Sequence, residues 1–191
     1  MKKSTKCILF TLGVSIAGIY AYNKFIEKTA SQKNLLSDKD GDYYAWMEIE
    51  TKDEYTKDNS KSYEGGPMTM NDISGDVRYD AAAASWGSSW RMPTRNDISE
   101  LINNCTFTNM TVNGVSGYKI TGTNGNSIFL PAAGSRNGAS LSSTGESGNY
   151  WSSTHGEYED YDAFYLYFHG GIRYKSCNLR DNGQSVRPVI D

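Results

Sequence analysis

Histidine and cysteine are scarce in this chain. Its 191 residues include two histidines, His155 and His169, and three cysteines, Cys7, Cys105 and Cys177. No CxxC pair occurs, and no cysteine stands at metal-ligand spacing from a histidine, so the sequence carries no recognisable metal set. Cys7 lies in an apolar run, which leaves Cys105 and Cys177 to pair or to remain free thiols; sequence alone leaves both open. A basic stripe is lacking as well. The formal net charge is -3, and neutralising phosphates needs clustered Lys and Arg, so nucleic acid is not an expected partner. Aliphatic residues are few: the hydrophobic fraction is 38%, yet aromatics reach 13%, with 14 Tyr and 4 Trp. Large aromatic side chains then supply the core and contact area that aliphatics do not.

Catalytic patterns are also missing. No Ser or Cys stands at a motif spacing from His155 or His169 that makes it a nucleophile. The carboxylates Glu157, Glu159, Asp160 and Asp162 alternate with tyrosines, which reads as a solvated loop and not as an acid/base pair. The chain is therefore read as a non-enzyme, and nothing in it calls for a cofactor or a metal.

The N-terminus carries the one long apolar run. Lys2, Lys3 and Lys6 precede CILFTLGVSIAGIYAY, the basic-then-apolar order of an exported chain. Its roughly 16 residues span about 24 Å as a helix, short of the roughly 30 Å hydrocarbon core. Phe25 and Ile26, with Lys24 snorkelling, extend it to a marginal span. Residues 1–26 are read as an uncleaved, single-pass anchor with the C-terminal part outside the cell. The alternative is cleavage after Ala21, which yields a secreted chain. Residues 27–66 are polar with charges of both signs, a stalk or linker with a possible short strand over 43–50. Within it, Asp38, Asp40 and Asp42 sit at the first positions of a calcium loop. Tyr43 in place of Gly and Ile49 in place of Glu break that pattern, so a solvated turn is preferred.

Residues 67–191 read as one domain. YDAAAASWG is a short Ala-rich helix stopped by Gly87. Thr94 and Asp97 form a variant capping box, and Ile98, Leu101 and Ile102 share one helical face. Trp86 and Trp90 are expected to anchor these helices in the core. Asn113-Gly114 and Asn124-Gly125 are turn signals on either side of the strand-like GYKITG. SIFLPAAG, NYWSST, AFYLYF and QSVRPVI read as further strands. Two helices followed by short strands with long irregular loops make an α+β domain.

Two resemblances add to this. YNKFIEKTASQKNLLSDKDGDYY is similar to the start of some membrane-anchored bacterial α/β-hydrolases. The G-x-S-x-G signature is absent, because Gly145-Glu146-Ser147-Gly148-Asn149 lacks its last glycine, so only the anchor carries over. GDYYAW, YDAAAASWGSSWRMPT, ISELINNCT, VNGVSGYKITGTNGNSIFLPAAGSRNG, NYWSST, AFYLYF and NGQSVRPV together resemble the Fibrobacter succinogenes major paralogous domain family. That resemblance implies a C-type-lectin-like fold, in which some members are targets of diversity-generating retroelements. The family's usual first strand before GDYYAW is replaced here, so either YYAWMEIE closes against the last strand or that edge stays unpaired.

Function is expected in two segments between the strand-like phrases, 154–162 and 169–181. The second, HGGIRYKSCNLRD, shows no period of 2 or 3.6 and reads as an exposed irregular loop. In the resembled fold the two segments share one surface. The candidate ligand-binding residues are His155, Glu157, Tyr158, Asp160, Tyr161, His169, Arg173, Tyr174, Lys175, Asn178 and Arg180. Tyrosines offer rigid amphipathic area at low entropy cost, and Arg and Lys offer charge-assisted hydrogen bonds. The expectation is a surface-displayed module that binds a protein or glycan. The alternatives are an adhesin-like structural surface protein without a discrete ligand and, less favoured, an enzyme.

Overall fold

Residues 43–62, 70–157 and 161–190 are described by the computed structural model. The anchor at 1–26, Cys7, the Asp38/Asp40/Asp42 turn, and Tyr158, Glu159 and Asp160 lie outside the described residues. Among the described residues no helix is long and apolar enough to cross a membrane.

Both helices start on side-chain caps, which satisfy amide donors that have no partner in the first turn. Asp80 precedes α1 (Ala81–Trp86), and its carboxylate accepts the amides of Ala82 and Ala83 at 2.8 and 3.1 Å. Gly87, at φ +96, ends α1 after six residues. Thr94 caps α2 (Arg95–Asn104): its hydroxyl accepts the Asp97 amide at 3.2 Å, and Asp97 accepts the Thr94 amide at 2.8 Å. Ile98 and Leu101 are buried and Ile102 packs partly against them, the apolar face read from spacing.

The strands all pair antiparallel with their sheet neighbours. β1 (Trp90–Arg91) pairs with β10 (Val189–Ile190). β2 (Thr106–Val112), β3 (Val115–Thr121) and β4 (Ser127–Pro131) form a meander in that order. Its first turn is Asn113-Gly114 with both φ angles positive, +50 and +80, as a two-residue hairpin of matching twist requires. β5 (Ser135–Asn137) and β6 (Ser140–Ser142) make a small ribbon. β7 (Ser147–His155), β8 (Asp162–His169) and β9 (Ile172–Leu179) form the second meander, with β8 in the middle.

This corrects the expected fold class. Strand accounts for 45% of the described residues and helix for 14%, and α2 alone reaches seven residues or more. The chain is mainly antiparallel β with one helix of more than six residues, not an α+β domain built on two helices and long irregular loops. The physical reasons are local. Gly87 stops the alanine run after a turn and a half. The segment read as an aperiodic loop, 169–181, is instead mostly β9, paired residue for residue with β8. The N-terminal membrane helix of that expectation falls outside the described residues.

The core lies between the two meanders under α2. Ile98 and Leu101 pack with Tyr118, Ile120, Ile128 and Leu130 on one side and Tyr150, Leu166 and Phe168 on the other. A second cluster joins Trp46, Met47, Ile73, Ala82, Met92, Trp151 and Ala163. Buried indoles need a hydrogen-bond acceptor, and these two exchange them: Trp46 Nε1 donates to Ser152 O at 2.8 Å and Trp151 Nε1 to Tyr44 O at 2.7 Å. Trp86 and Trp90 are not the core tryptophans expected. They meet edge to face at 5.3 Å and stay half-exposed. Residues 43–47 carry no ladder of their own beyond one bridge. Tyr44 exchanges both backbone bonds with Gln184, at 2.9 and 3.0 Å, which lays this segment along the chain before β10.

Candidate ligand-binding face

The β7–β8–β9 sheet has two unlike faces, set by the alternation of side chains along a strand. Register pairs Phe164 with Cys177, Leu166 with Lys175 and Phe168 with Arg173. This face points toward α2: Leu166 and Phe168 join the cluster of Ile98 and Leu101. Lys175 Nζ donates to Ser99 Oγ at 2.7 Å, and the Arg95 guanidinium lies 4.8 Å from the Phe164 ring. The opposite face pairs Trp151 with Tyr165, Tyr165 with Ser176 and Tyr167 with Tyr174. Its rings form a contiguous row: Trp151–Tyr165 at 6.2 Å, Tyr165–Tyr167 at 6.5 Å and Tyr167–Tyr174 at 4.9 Å between centroids.

The row emerges from the core by steps. Trp151 is fully buried in the Trp46 cluster, and Tyr165 packs against that cluster while partly exposed. Tyr174 is 43% exposed, and Ile172, next along β9 on the same side, is 62% exposed. Burial raises the Tyr165 hydroxyl pKa to about 12, with the neighbouring Tyr174 and Tyr167 adding to it. The hydroxyl thus stays protonated at neutral pH and is available as a donor as well as an acceptor. A row with one end anchored and the other open is rigid contact area that loses little entropy on binding.

The candidate residues divide over this framework. Tyr174 lies on the tyrosine face. Tyr161, 38% exposed, immediately precedes β8, and its carbonyl accepts the Arg180 amide at 3.0 Å. His169 ends β8 across from Ile172, and its Nδ1 bonds Glu146 O at 3.1 Å. Arg173 and Lys175 point to the α2 side, with the Arg173 guanidinium 4.8 Å from the Phe107 ring. His155 closes β7; its Nδ1 bonds Gly156 O and its ring meets the edge of Trp46 at 6.3 Å. Glu157 forms an ion pair with Arg95 at the start of α2. Asn178 is tied into its own turn, accepting from Leu179 N at 2.9 Å and Asn182 Nδ2 at 2.8 Å. Tyr158 and Asp160 lie outside the described residues.

Arg180 requires a correction. It is not an exposed anchor but fully buried. Its guanidinium stacks 4.4 Å from the Trp46 ring, its Nε donates to Asp162 O at 3.2 Å, and its carbonyl accepts the Trp46 amide at 2.8 Å. Desolvating a guanidinium is tolerated where an aromatic face and backbone acceptors surround it. Arg180 therefore holds 43–47 against the sheet. The second correction concerns the loop from 169 to 181: its exposed residues are displayed by a regular strand.

Sequence reasoning passed over Tyr165, Tyr167 and Ile172. The first two were legible in AFYLYF, where tyrosines alternate with Phe164, Leu166 and Phe168, the pattern of a strand with one apolar and one amphipathic face. Among the described residues no three His, Cys, Asp or Glu side chains converge. A cavity of about 20 Å³ between α2 and the sheet, lined by Ile98, Leu101, Tyr150 and Leu166, is water-sized and too small for a ligand. Cys105 and Cys177 are not joined by a disulfide. No family model, no curated protein and no solved structure matches the chain.

Proposed function

We propose that this chain is a ligand-recognition module, displayed at the cell surface by its N-terminal anchor, that binds a protein or glycan through the outer face of the β7–β8–β9 sheet. The observation that carries the reading is the graded row Trp151–Tyr165–Tyr167–Tyr174, buried at one end and open at the other, with Ile172 exposed beside it. Binding energy in such surfaces concentrates in a few aromatic anchors surrounded by near-neutral contacts. Tyr161, exposed just before Asp162 opens β8, lies at the other end of that strand. The phrases similar to the Fibrobacter succinogenes major paralogous domain family support a recognition role in the same tail.

The test is direct. Tyr167→Ala and Tyr174→Ala, each checked for an unchanged far-UV spectrum and melting temperature, are applied beside the wild-type chain to glycan and protein arrays. Loss of a wild-type hit in both variants supports the reading. A hit that survives both substitutions refutes it for this face. An array without hits, together with assembly of the chain into a surface layer, favours a structural adhesin-like role.

A further inference from the structure

The β7–β8–β9 sheet treats its two edges differently. Along the outer edge of β7, backbone partners are in place: Trp151 N donates to Ser185 O, Ser185 N to Asn149 O, Ser153 N to Pro93 O and His155 N to Asn71 O, all between 2.8 and 3.0 Å. Among the described residues β9 pairs with β8 alone. The turn between them is Gly170-Gly171, with φ of +55 and +87, a two-residue hairpin whose flanking pair His169–Ile172 exchanges both backbone bonds. Alternation then turns Ile172, Tyr174, Ser176 and Asn178 toward β8 and the amides and carbonyls of Arg173, Lys175, Cys177 and Leu179 away from it. The bond from Arg180 N to Tyr161 O continues the same phase. The Leu179 amide is taken by Asn178 Oδ1. Among the described residues, the outward amides and carbonyls of Arg173, Lys175 and Cys177 have no backbone partner.

This edge is in unbroken register over eight pairs, and residues 171–175 are exposed. Such an edge is a template for another strand. Its charge limits which strand. Arg173 and Lys175 stand two residues apart on one side, and neither has a carboxylate within 4 Å among the described residues; their contacts are the Phe107 ring and Ser99 Oγ. A second copy pairing here antiparallel about these residues brings cation against cation, which is unfavourable. On the other side stand Tyr174 and Ile172. The edge of β2, TFTNMTV, is equally exposed but carries no charge to choose a partner.

We propose that the free edge of β9 accepts an extended peptide whose acidic side chains alternate with apolar ones, the acids facing Arg173 and Lys175 and the apolar residues facing Tyr174 and Ile172. This goes beyond the tyrosine-face reading and involves the edge of the sheet, so failure here leaves that reading standing.

The probe is an octapeptide alternating glutamate with valine, titrated into the isotope-labelled full chain while backbone amides are followed by NMR. The expected result is saturable shifts and roughly tenfold slower exchange at the amides of Arg173, Lys175 and Cys177, with Tyr174 and Ser176, already bonded to β8, unaffected. The same peptide N-methylated at alternate residues, and an alternating lysine–valine peptide, give no such protection. Lys175→Pro removes an outward donor without touching the β8 ladder and abolishes it. Arg173→Glu with Lys175→Glu leaves the backbone edge intact and transfers preference to the lysine peptide. Three outcomes each overturn the proposal. These are no protection at millimolar peptide, protection that N-methylation does not reduce, and protection unchanged by the charge reversal.

Discussion

Asp80 holds more of this fold than its place before a six-residue helix suggests. It is fully buried, and its two oxygens accept four backbone amides. Oδ1 takes Ala82 at 2.8 Å and Ala83 at 3.1 Å; Oδ2 takes Gly75 at 2.8 Å and Met92 at 2.8 Å. One carboxylate therefore ties together the turn before α1, the helix start and the strand leading to α2. Asp80→Asn keeps the shape and replaces one acceptor oxygen with a donor NH₂. Whichever way the amide is turned, one pair of amides loses its acceptor and faces another donor. Ala82, Ala83 and Met92 are all buried, so water does not readily replace the lost partner. Two lost bonds to a charged acceptor, at about 1.5 kcal/mol each, give a destabilisation of about 3 kcal/mol. Urea unfolding followed by tryptophan fluorescence measures it, with an unchanged slope showing that only stability moved. Amide exchange then tells which pair opened, Gly75 and Met92 or Ala82 and Ala83. A loss below about 0.5 kcal/mol, the range of an ordinary surface change, refutes the assignment of Asp80 as the joint.

Three further outcomes follow from the packing and the titrating groups. Gly148→Ala drives a Cβ into the Phe168 ring, which also packs against Tyr118 and Tyr150 at 5.0 and 5.9 Å between centroids. Overpacking of this kind costs about 3 kcal/mol in a urea titration, and Phe168→Leu in the same chain recovers part of it; additive losses refute the contact. Burial pushes the Tyr55 and Tyr165 hydroxyls up to about 12 and raises Tyr150 as well. The unfolded chain releases these protons near about pH 10, so this stability is fully present below that pH and is lost as pH rises through about 12. The urea midpoint accordingly falls between pH 9 and pH 11, and equal midpoints refute the shifts. Burial, with the Asp162 carboxylate adding to it, pushes the Cys177 thiol up to about 11. Its alkylation by iodoacetamide at pH 8 is on the order of 100-fold slower than that of an unperturbed thiol, read by mass spectrometry of the Cys177 peptide.

What the sequence disclosed was what neighbouring residues decide among themselves. The Thr94–Asp97 capping box and the Asn113-Gly114 turn are set within four residues, and both form as read. AFYLYF and NYWSST were legible as strands because their aromatic content and alternation suit a pleated surface. Trp86 and Trp90 were expected in the core and are not there, because the burial of a tryptophan is decided at long range. Trp46 sits in a run crowded with charge, yet it is enclosed by Arg180, His155 and Trp151's cluster. Trp86 ends the alanine helix and Trp90 follows it, and the two meet each other half-exposed instead.

The tail shows why an aperiodic stretch need not be a loop. Period 2 appears when one face of a strand is dry and the other wet. β9 has neither. Its α2 side is occupied by Arg173 and Lys175, whose stems lie along the protein while their charged ends reach Phe107 and Ser99. Its other side carries Tyr174 and Ile172, half in contact with the tyrosine row and half in solvent. Both faces are amphipathic, so the alternation cancels in the sequence while the ladder to β8 remains unbroken over eight pairs. The strand is held by its neighbour's backbone and by the Gly170-Gly171 turn, not by a hydrophobic face of its own. That leaves its side chains less constrained by packing than those of β7 or β8. A strand placed by its backbone, and relieved of filling the core, is one on which contact residues can vary without loss of the fold.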